Sequence, residues 1–296
     1  MPKLGQHFLK NRGALTLIAR ALDIHNGDIV LEIGPGHGEL TEELKTQNFP
    51  PKADPPPAEK LETFKIITIE KDPRLVEFLK KRFADDPRIE ILEGDALKII
   101  PRIISVIPVQ AEIQKTSETQ ESWIPAFAGM TEHDWKLTGN IPYYLTGKLL
   151  RIIGELAHAP ATCVFTIQKE VAARITAQCP QMNRLAASVG FWARAEIIGH
   201  LPRTDFNPPP NVDSSIIKLT TLPAALNADR ESYYRAVRAL FSQPRKTILN
   251  NLVGGITEKG KIKEEITTRL ETIGIRPDLR PQNLTIENIA RIAQIF

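Results

Sequence analysis

The sequence has few of the residues that build cross-linked or metal-centred proteins. Only two of its 296 residues are cysteines, Cys163 and Cys179, and its six histidines are scattered along the chain. A disulfide framework needs a larger set of cysteines, and a zinc site needs Cys or His at close, regular spacings. Neither is supported, so we predict no metal site and a reducing, cytoplasmic environment.

Long apolar runs are also missing. No stretch of about 18 apolar residues occurs, and the first five residues, Met-Pro-Lys-Leu-Gly, contain no apolar segment of a signal peptide. Apolar residues make up 42% of the chain and charged residues 25%, which are ordinary values for a globular protein. We therefore predict a soluble monomer without a membrane partner, long enough for one large and one small domain.

Charge of one sign is not abundant overall, but it is unevenly placed. The net charge is only +3, yet residues 230–296 hold 12 Lys or Arg against 7 Asp or Glu. A basic C-terminal part is typical of a protein that binds nucleic acid. A solvated helical surface explains the same excess equally well, so charge alone leaves both interpretations open.

The sequence does contain an alternation of apolar strand-like and helical segments, which lasts to about residue 221. Beyond it the pattern is helical only. The alternation predicts parallel strands with helices between them and an antiparallel pair that closes the sheet. The helix after the second strand is predicted to carry Leu75, Phe78, Leu79 and Phe83 on one apolar face. We predict an α/β fold with a domain of residues 1–221 and a small helical domain of residues 222–296. The predicted parallel strands are 29–33, 65–69, 89–92, 137–139 and 162–167, the antiparallel pair is 188–198 and 214–219, and the C-terminal helices are 231–241, 246–252, 262–273 and 286–295.

Two segments interrupt this alternation. Residues 48–62 contain five prolines and predict a surface loop. Residues 103–134 form a connection that is too long for a compact α/β unit, and such connections are either functional or inserted. We favour an insertion that loops out, and an apolar flap near the active site is the alternative.

A glycine-rich turn follows the first long strand. Residues 34–38 read Gly-Pro-Gly-His-Gly, in which Gly34 and Gly36 allow the backbone to approach a ligand closely. A dinucleotide site requires a different glycine spacing, and Glu32 before this turn would repel a pyrophosphate. An acidic residue here suits a ligand with a cationic end, such as S-adenosylmethionine. A turn that only packs a helix is the alternative.

Acidic residues also follow the next two strands. Glu70 ends the second strand, where a carboxylate accepts hydrogen bonds from the hydroxyls of a ribose. Asp95 follows the third strand and is placed to accept a hydrogen bond from the amino group of an adenine. Ala96, with its small side chain, leaves room for the flat adenine ring. The alternatives are a surface pair of Glu70 with Lys71 and a helix N-cap for Asp95.

Residues 140–144, Asn-Ile-Pro-Tyr-Tyr, follow the fourth strand and contain the groups needed to methylate a planar amino group. The side-chain oxygen of Asn140 and the carbonyl before Pro142 can draw the lone pair of an exocyclic amine out of conjugation. Pro142 stiffens the loop, and Tyr143 is placed to stack on the base. The alternative is an ordinary turn with two half-buried tyrosines.

Three further residues are candidates for contact with a nucleic acid. Phe206 begins a proline-rich loop and is predicted to form the second side of a base sandwich with Tyr143. An aromatic ring that plugs the loop against the core is at least as plausible. Lys169 and Arg174 are candidates for phosphate contact, although such residues are more often solvated charges.

Together these motifs resemble the rRNA adenine N6-dimethyltransferase family over residues 5–296, apart from the two interruptions. The resemblance implies a class I S-adenosylmethionine-dependent methyltransferase fold, Rossmann-like, followed by a small C-terminal helical domain. The motifs that carry it are residues 5–9 (Gly-Gln-His-Phe-Leu), 32–38 (Glu-Ile-Gly-Pro-Gly-His-Gly), Glu70, 94–96 (Gly-Asp-Ala), 140–143 (Asn-Ile-Pro-Tyr), 206–214 (Phe-x-Pro-x-Pro-x-Val-x-Ser) and 241–246 (Phe-Ser-Gln-x-Arg-Lys).

The resemblance implies S-adenosylmethionine as the methyl donor, no metal, and the 16S rRNA of an immature small ribosomal subunit as the partner. Two neighbouring adenosines in the hairpin near the 3′ end of that RNA would each receive two methyl groups. By position, His7 and Leu9 match the cofactor lid, and Asn140 and Tyr143 match the catalytic loop. The positions that match the cofactor contacts are Gly34, Glu70 and Asp95.

The sequence departs from the family at three places and leaves two rival functions. Tyr144 stands where the family commonly has Asn or a similar polar residue, Pro244 replaces a usual Arg, and residues 103–134 are much longer than the family's connection. One rival is the related methyltransferase that modifies 23S rRNA and confers antibiotic resistance. The other is a ribosome-assembly factor that keeps the fold without catalysis.

Overall fold

A computed structural model describes residues 6–46, 64–105, 135–223, 228–254 and 259–296 of the chain. The predicted loop at 48–62 lies outside the described residues. Of the predicted insertion at 103–134, only the first three residues are described, and they end a helix. The secondary-structure elements below are numbered along the described residues.

The chain forms nine strands in the described part. Seven of them make one sheet in the order β4-β3-β2-β5-β6-β9-β7, and the other two, β1 and β8, pair with each other. Strands β2 to β6 run parallel, and β9 runs antiparallel to β6. The strands are β1 (Phe8–Leu9), β2 (Ile29–Ile33), β3 (Lys65–Glu70), β4 (Ile89–Glu93), β5 (Trp135–Asn140), β6 (Thr162–Gln168), β7 (Ala193–Leu201), β8 (Phe206–Asn207) and β9 (Ser214–Thr221).

Helices connect these strands and make up the C-terminal part. Each of the four connections between the parallel strands β2 to β6 contains a helix, which the alternating pattern predicts. The helices are α1 (Arg12–Ala21), α2 (Glu39–Thr46), α3 (Pro73–Arg82), α4 (Ala96–Ser105), α5 (Thr146–Glu155), α6 (Lys169–Ile175), α7 (Arg184–Gly190), α8 (Arg230–Leu240), α9 (Ile248–Leu252), α10 (Lys259–Thr272) and α11 (Ile286–Ile295).

The centre of the large sheet is buried on both faces. All five residues of β2 are buried, and β5 and β6 are each buried except at their last residue. Such runs are expected where helices cover both faces of a parallel sheet. One apolar cluster joins this sheet to α1 and includes Leu9, Leu15, Ile18, Leu22, Val30, Leu40, Leu44, Ile66, Val164, Phe206 and Ile216.

Polar side chains fix the starts of several helices. Asn11 accepts a hydrogen bond from the Ala14 N–H ahead of α1 (3.1 Å), and Asp72 accepts one from the Arg74 N–H ahead of α3 (3.0 Å). Thr285 forms a capping box at the start of α11. Each cap satisfies backbone donors that the first helical turn leaves without a partner.

A buried ion pair lies at the amino-terminal end of the central strands. Lys136 in β5 lies 2.8 Å from the Asp28 carboxylate and also donates to the Asp23 carbonyl. Both charged side chains are less than one tenth exposed. Removing one partner of such a pair leaves a buried charge, so the pair fixes β5 against the turn before β2.

The chain divides into two compact units. The first contains residues 1–172 and 196–221, and the second contains residues 173–195 and 222–296. From the sequence we predicted a single boundary after residue 221. Residues 173–195 were therefore expected in the first unit, but they belong to the second. Within the second unit, the Tyr233 hydroxyl donates to the Ala187 carbonyl (2.9 Å), and an Ile286 side chain fills the space in front of Gly190.

Two local predictions are wrong. The segment 188–198 was predicted as one strand, but α7 continues to Gly190 and β7 begins only at Ala193. Phe78 was predicted on the apolar face of α3, but 44% of its surface is exposed, and Val76 is buried on that helix instead. Among the described residues, no helix is long and apolar enough to span a membrane.

Candidate active site

The predicted site residues come together at the carboxyl ends of the parallel strands. The register pairs Ile33 of β2 with Ile69 of β3 and with Gly139 of β5. Glu70 and Asn140, which end β3 and β5, and Gly34, which follows β2, therefore lie at the same edge of the sheet. Ligands of open α/β sheets bind at this edge, next to the point where the strand order reverses.

A pocket lies at this edge and contains several of the predicted residues. It is formed by the turn after β2, by the ends of β5 and β6, and by residues from β1 and α1. Its walls include Phe8, Leu9, Glu32, Gly34, Pro35, Asn140 and Thr166. Glu70 and Asp95 are not among the residues that line it.

The glycine-rich turn makes one wall of the pocket. Gly34 has a φ of +63° and its N–H donates to the Ile69 carbonyl at 2.9 Å, so the turn is tied to the end of β3. No atom lies within 4 Å of the position that a Cβ on Gly34 would take. Gly36 has a φ of +62°, but a Cβ there would meet the Phe8 ring at 2.6 Å. Gly34 thus faces open space, whereas Gly36 makes room for β1.

Glu32 is a buried acid at the end of β2. Its side chain accepts a hydrogen bond of 2.6 Å from the Thr41 hydroxyl, and only 1% of its surface is exposed. Burial and, to a smaller extent, the nearby carboxylates of Glu39 and Glu70 together raise the pKa of Glu32 to about 8, while the hydrogen bond from Thr41 opposes this rise. A buried carboxyl with neighbours of the same charge favours the approach of a cationic group.

Glu70 and Asp95 both bond to nearby backbone groups. One oxygen of Glu70 accepts hydrogen bonds from the N–H groups of Lys71 (2.8 Å) and Asp72 (2.9 Å). Asp95 accepts one from the Leu97 N–H (3.0 Å), so it caps α4, and its other oxygen lies 3.6 Å from the Lys71 ammonium. The N-cap alternative therefore describes part of what Asp95 does. The alternative for Glu70, a surface pair with Lys71, is wrong, because Glu70 is buried and the Lys71 ammonium lies next to Asp95. A cofactor role for both acids stays a prediction. Ala96, 9% exposed, is the first residue of α4.

The loop after β5 is held in place by several hydrogen bonds. The Asn140 side-chain N–H donates to the His7 carbonyl (2.5 Å), and the Pro142 carbonyl accepts from the Leu145 N–H (2.8 Å). The hydroxyls of Tyr143 and Ser214 share a hydrogen bond of 3.0 Å. Burial raises the pKa of Tyr143 above its ordinary value, so its hydroxyl stays protonated. These hydrogen bonds hold the loop in one conformation, so it is more than the ordinary turn that we considered as the alternative.

The segment before α1 crosses this loop. Strand β1 pairs antiparallel with β8, with Phe8 opposite Asn207 and Leu9 opposite Phe206. His7 donates from Nδ1 to the Pro208 carbonyl (2.8 Å), and its ring is stacked on Tyr143 with 6.3 Å between centroids. The N-terminal segment therefore reaches the loop after β5 and the pocket, as we expect for a lid.

The structure contradicts the prediction for Phe206. Only 2% of its surface is exposed, and it packs in the apolar cluster with Leu9, Leu15 and Ile18. The strand pair β1–β8 turns this ring to the core, so it does not form the second side of a base sandwich with Tyr143. The alternative, an aromatic ring that plugs its loop against the core, describes the structure.

Two residues in this region were not predicted from the sequence. Thr41 bonds to Glu32, and Ser214 bonds to Tyr143. Ser214 ends the proline-rich motif at 206–214, which was a usable signal, but no spacing points from Thr41 to a residue nine positions earlier. Within the described ranges, no three His, Cys, Asp or Glu side chains are grouped in a way that could hold a metal ion.

The sheet order, the antiparallel β9 and the glycine-rich turn after β2 define a class I methyltransferase fold. Two solved structures cover nearly the whole chain. The crystal structure of a dimethyladenosine transferase from Plasmodium falciparum has a TM-score of 0.71, is 25% identical, and is matched over 97% of this chain and 96% of its own. The 23S rRNA methyltransferase ErmE has a TM-score of 0.66, is 22% identical, and is matched over 97% and 98%.

The sequence comparisons are more specific than the fold. The family model of the ribosomal RNA adenine dimethylases matches residues 1–296. A curated relative from Dehalococcoides mccartyi, named ribosomal RNA small subunit methyltransferase A, is 32% identical over 99% of this chain and 87% of its own length. The chain therefore belongs to the ribosomal RNA adenine dimethylase family.

Proposed function

We propose that this chain transfers methyl groups from S-adenosylmethionine to N6 of adenosines in small-subunit ribosomal RNA. The proposed acceptors are two neighbouring adenosines in the hairpin near the 3′ end of 16S rRNA, each of which receives two methyl groups. The observation that carries the proposal is the position of Asn140, which ends β5, lines the pocket, and has a side chain whose orientation is fixed by a hydrogen bond to His7.

The residues of the pocket fit S-adenosylmethionine. Gly34 leaves open the space that a larger residue would fill, so a ligand can lie against the backbone of the turn. Glu32 supplies a buried carboxyl near Glu39 and Glu70, and its pKa is raised chiefly by burial and also by these two carboxylates, so a cationic partner would stabilise its ionised form. When bound, S-adenosylmethionine supplies a cationic end that suits this carboxyl and a methyl group that its sulfonium activates. We assign Glu32, Gly34, Gly36 and Leu9 to its binding, with Glu70, Asp95 and Ala96 as further candidates.

The orientation of Asn140 determines what it can do. Its Nδ2 donates to the His7 carbonyl, so its Oδ1 is the atom left to accept a hydrogen bond from an exocyclic amine. The Pro142 carbonyl is bonded to Leu145, which leaves the Ile141 carbonyl as the backbone acceptor in our proposal. Two acceptors on the amine turn its lone pair out of conjugation and stabilise the positive charge that develops on N6.

Tyr143 would hold the target base in this position. Its hydroxyl is bonded to Ser214 and its ring contacts the His7 ring, so the side chain is already ordered before RNA binds. An ordered aromatic ring loses little conformational entropy when a base stacks on it. After transfer, the cationic N6 loses a proton to water, and the neutral amine can receive a second methyl group in the same way.

The names of the relatives favour small-subunit RNA over 23S rRNA as the substrate. Curated relatives that match almost the full chain at about 30% identity are named for the small subunit, whereas the likeness to the 23S rRNA methyltransferase is lower in identity and extends to the fold alone. The intact Asn140 and Tyr143 argue against a protein that keeps the fold without catalysis. The basic C-terminal part supports RNA as the partner.

Substitution of Asn140 tests the proposal. We expect Asn140→Ala to lower the rate of methyl transfer by about 100-fold or more, because it removes an acceptor that acts in the transition state. The affinity for S-adenosylmethionine should stay within a few-fold of the wild type, as measured by calorimetry. Transfer at a rate near that of the wild type would show that Asn140 does not have this role.

Asn140→Asp is the matched variant. It keeps an oxygen at the position of Oδ1 but cannot donate to the His7 carbonyl, so two oxygens would face each other. We expect it to lose transfer as well, because the orientation of the acceptor depends on that hydrogen bond. If Asn140→Asp transferred methyl groups as fast as the wild type, the bond to His7 would have no part in the reaction.

A further inference from the structure

Tyr144, the residue after the catalytic loop, is unusually exposed. It has 69% of its surface accessible, compared with 44%, 38% and 37% for Phe78, Phe296 and Leu17, the other large apolar residues exposed in the described part of the chain. Its neighbour Tyr143 is half-buried and bonded to Ser214, so the two tyrosines differ in environment. The loop therefore presents one ordered ring at the site and a second ring directly beside it.

The backbone joins Tyr144 to the exposed face of α5. The hydrogen bond from the Leu145 N–H to the Pro142 carbonyl forms a turn around Tyr144, and the Leu149 N–H then bonds to the Leu145 carbonyl as the helix proceeds. Lys148 and Arg151 are exposed and follow Tyr144 by four and seven residues. Lys148 and Arg151 are three residues apart and therefore lie on one face of α5, with side chains that lean towards its N-terminus. That N-terminus begins two residues after Tyr144.

This face of α5 is open. Its opposite face is buried through Leu149, Leu150 and Ile153. Gly147 lies on the exposed side, and a Cβ built on it would have no atom within 4 Å. Arg151 is 3.7 Å from Glu155, and both side chains are more than half exposed. A surface pair of this kind contributes about 0–1 kcal/mol, so Arg151 can exchange it for another anion.

Charged side chains surround the catalytic loop. The exposed carboxylates of Glu170 and Asp213 are near enough to the Tyr143 hydroxyl to add to the rise in its pKa that burial causes. The exposed cations Lys148 and Arg151 lie on α5. A polyanion is repelled by the two carboxylates, an effect that the exposed Lys169 beside Glu170 reduces, and it is attracted by the two cations. This charge distribution favours α5 as the path of the strand that carries the target base.

We propose that Tyr144, Lys148 and Arg151, here called the α5 track, bind the RNA strand next to the target adenosine. Tyr144 stacks on the neighbouring base, and the two cations contact its phosphates. An aromatic ring followed by cations is the usual combination for single-stranded nucleic acid. The inference rests on the proposed function, in which two neighbouring adenosines are methylated, because the one that waits needs a place outside the pocket.

The test measures binding of the full chain to unmethylated small ribosomal subunits, with S-adenosylhomocysteine present, and the KM of these subunits in methyl transfer. We expect Tyr144→Ala to raise both the Kd and the KM by about 10-fold, because stacking on an aromatic ring contributes strongly to binding of a single strand. Tyr144→Phe keeps the ring and should stay within about two-fold of the wild type on both measures. Affinity for S-adenosylmethionine, measured in parallel, controls for folding.

Lys148→Gln tests the electrostatic part. We expect it to reduce the slope of log Kd against log salt concentration by about 0.7, the value for one phosphate contact to a single strand. Lys80→Gln is the matched control, because Lys80 is an exposed lysine on α3. It should leave the slope unchanged.

Two results would overturn the α5 track. One is wild-type Kd and salt slope for both Tyr144→Ala and Lys148→Gln. The other is an equal loss for Tyr144→Phe and Tyr144→Ala, which would assign the effect to the hydroxyl. Failure of the proposed function would give a different result. The wild type would then bind the small subunits but yield no dimethyladenosine, and the Kd values of the variants would still test the α5 track.

Discussion

Glu32 is the residue whose environment indicates most clearly that the pocket suits a cationic ligand. It is buried at the end of β2, bonded to Thr41, and close to two other carboxylates, and its pKa is raised from 4.5 to about 8. An acid that is protonated at neutral pH contributes little negative charge until a cation binds. Binding of a cationic ligand therefore lowers the pKa of Glu32 and releases a proton.

The pH dependence of cofactor affinity follows from this linkage. We expect the affinity for S-adenosylmethionine to rise up to tenfold per pH unit below about pH 8 and to level off above it, because the ionised form of Glu32 binds the cation. Calorimetry in buffers of different ionisation enthalpy measures the released proton. Glu32→Gln should bind more weakly, with no such pH dependence, and an unchanged pH profile in that variant would contradict the assignment.

The same residue predicts a stability effect of opposite sign. Its folded pKa lies above the unfolded value, so the folded state holds the proton more tightly, and ionisation destabilises the free protein as pH rises from 4.5 to 8. We therefore expect Glu32→Gln without cofactor to be more stable than the wild type above pH 8, by about 1–3 kcal/mol. Thermal unfolding at pH 6 and pH 8.5 measures the difference, which should be smaller at pH 6.

At the residue scale, the sequence predicts where in the fold a residue lies, but it does not always predict what its side chain contacts. Asn140 and Tyr143 could be placed because a strand and a proline fix them at the edge of the sheet. Phe206 could not, because a ring at the start of a loop can face the pocket or the core, and only the pairing of β1 with β8 decides which. The bond between Thr41 and Glu32 depends on the packing of α2, which no sequence spacing reveals.

At the scale of elements, the glycine-rich turn and β1 depend on each other. The Phe8 ring occupies the space in front of Gly36, while the space in front of Gly34 is open, and both glycines have positive φ. Position 36 thus requires glycine because of its backbone conformation and because β1 packs closely against it. At Gly34 it is required by conformation and by the ligand that we propose.

The two glycines should respond differently to alanine. We expect Gly36→Ala to destabilise the free protein by about 2–4 kcal/mol, because backbone strain and the clash with Phe8 add together. Gly34→Ala should cost only the strain, about 1–2 kcal/mol, but weaken cofactor binding strongly. Chemical denaturation and calorimetry measure the two effects. Equal loss of stability in both variants would contradict the placement of Phe8 against Gly36.

The parallel strands were predictable because each is a short apolar run between turns, and the structure confirms their parallel pairing and their common edge. The boundary between α7 and β7 was not, because the residues around Gly190 suit a helix and a strand alike. Phe78 was assigned to the buried face of α3 because it shares the helical spacing of Leu75 and Leu79, but it stands at the edge of that face, and spacing does not show how far the face is covered. Its ring instead lies against His37, with 5.9 Å between centroids.

At the scale of the whole molecule, the two compact units explain why a single cut after residue 221 was incomplete. The chain enters the second unit at residue 173, returns to the first at residue 196, and leaves it again at residue 222. Residues 173–195 belong to the second unit because Met182, Ala186 and Ala187 pack in its apolar cluster. Such a return depends on contacts far apart in the sequence, which periodicity does not detect.

The charge distribution of the whole chain agrees with an RNA partner. The excess of positive charge lies in residues 230–296, whereas the pocket of the first unit contains Glu32 and Glu39. A cationic cofactor and an anionic RNA can therefore be attracted to different parts of one protein. This separation is consistent with the two ligands that the proposed reaction needs.

The most direct test of this account is methyl transfer from labelled S-adenosylmethionine to unmethylated small ribosomal subunits and, in parallel, to large subunits, followed by nuclease digestion and identification of the labelled nucleoside. We predict N6,N6-dimethyladenosine from the small subunits alone, with a final yield of about four methyl groups per subunit, the number set by two methyl groups on each of two adenosines. Label in the large subunits, or no label from a protein that binds the cofactor, would contradict the proposed function.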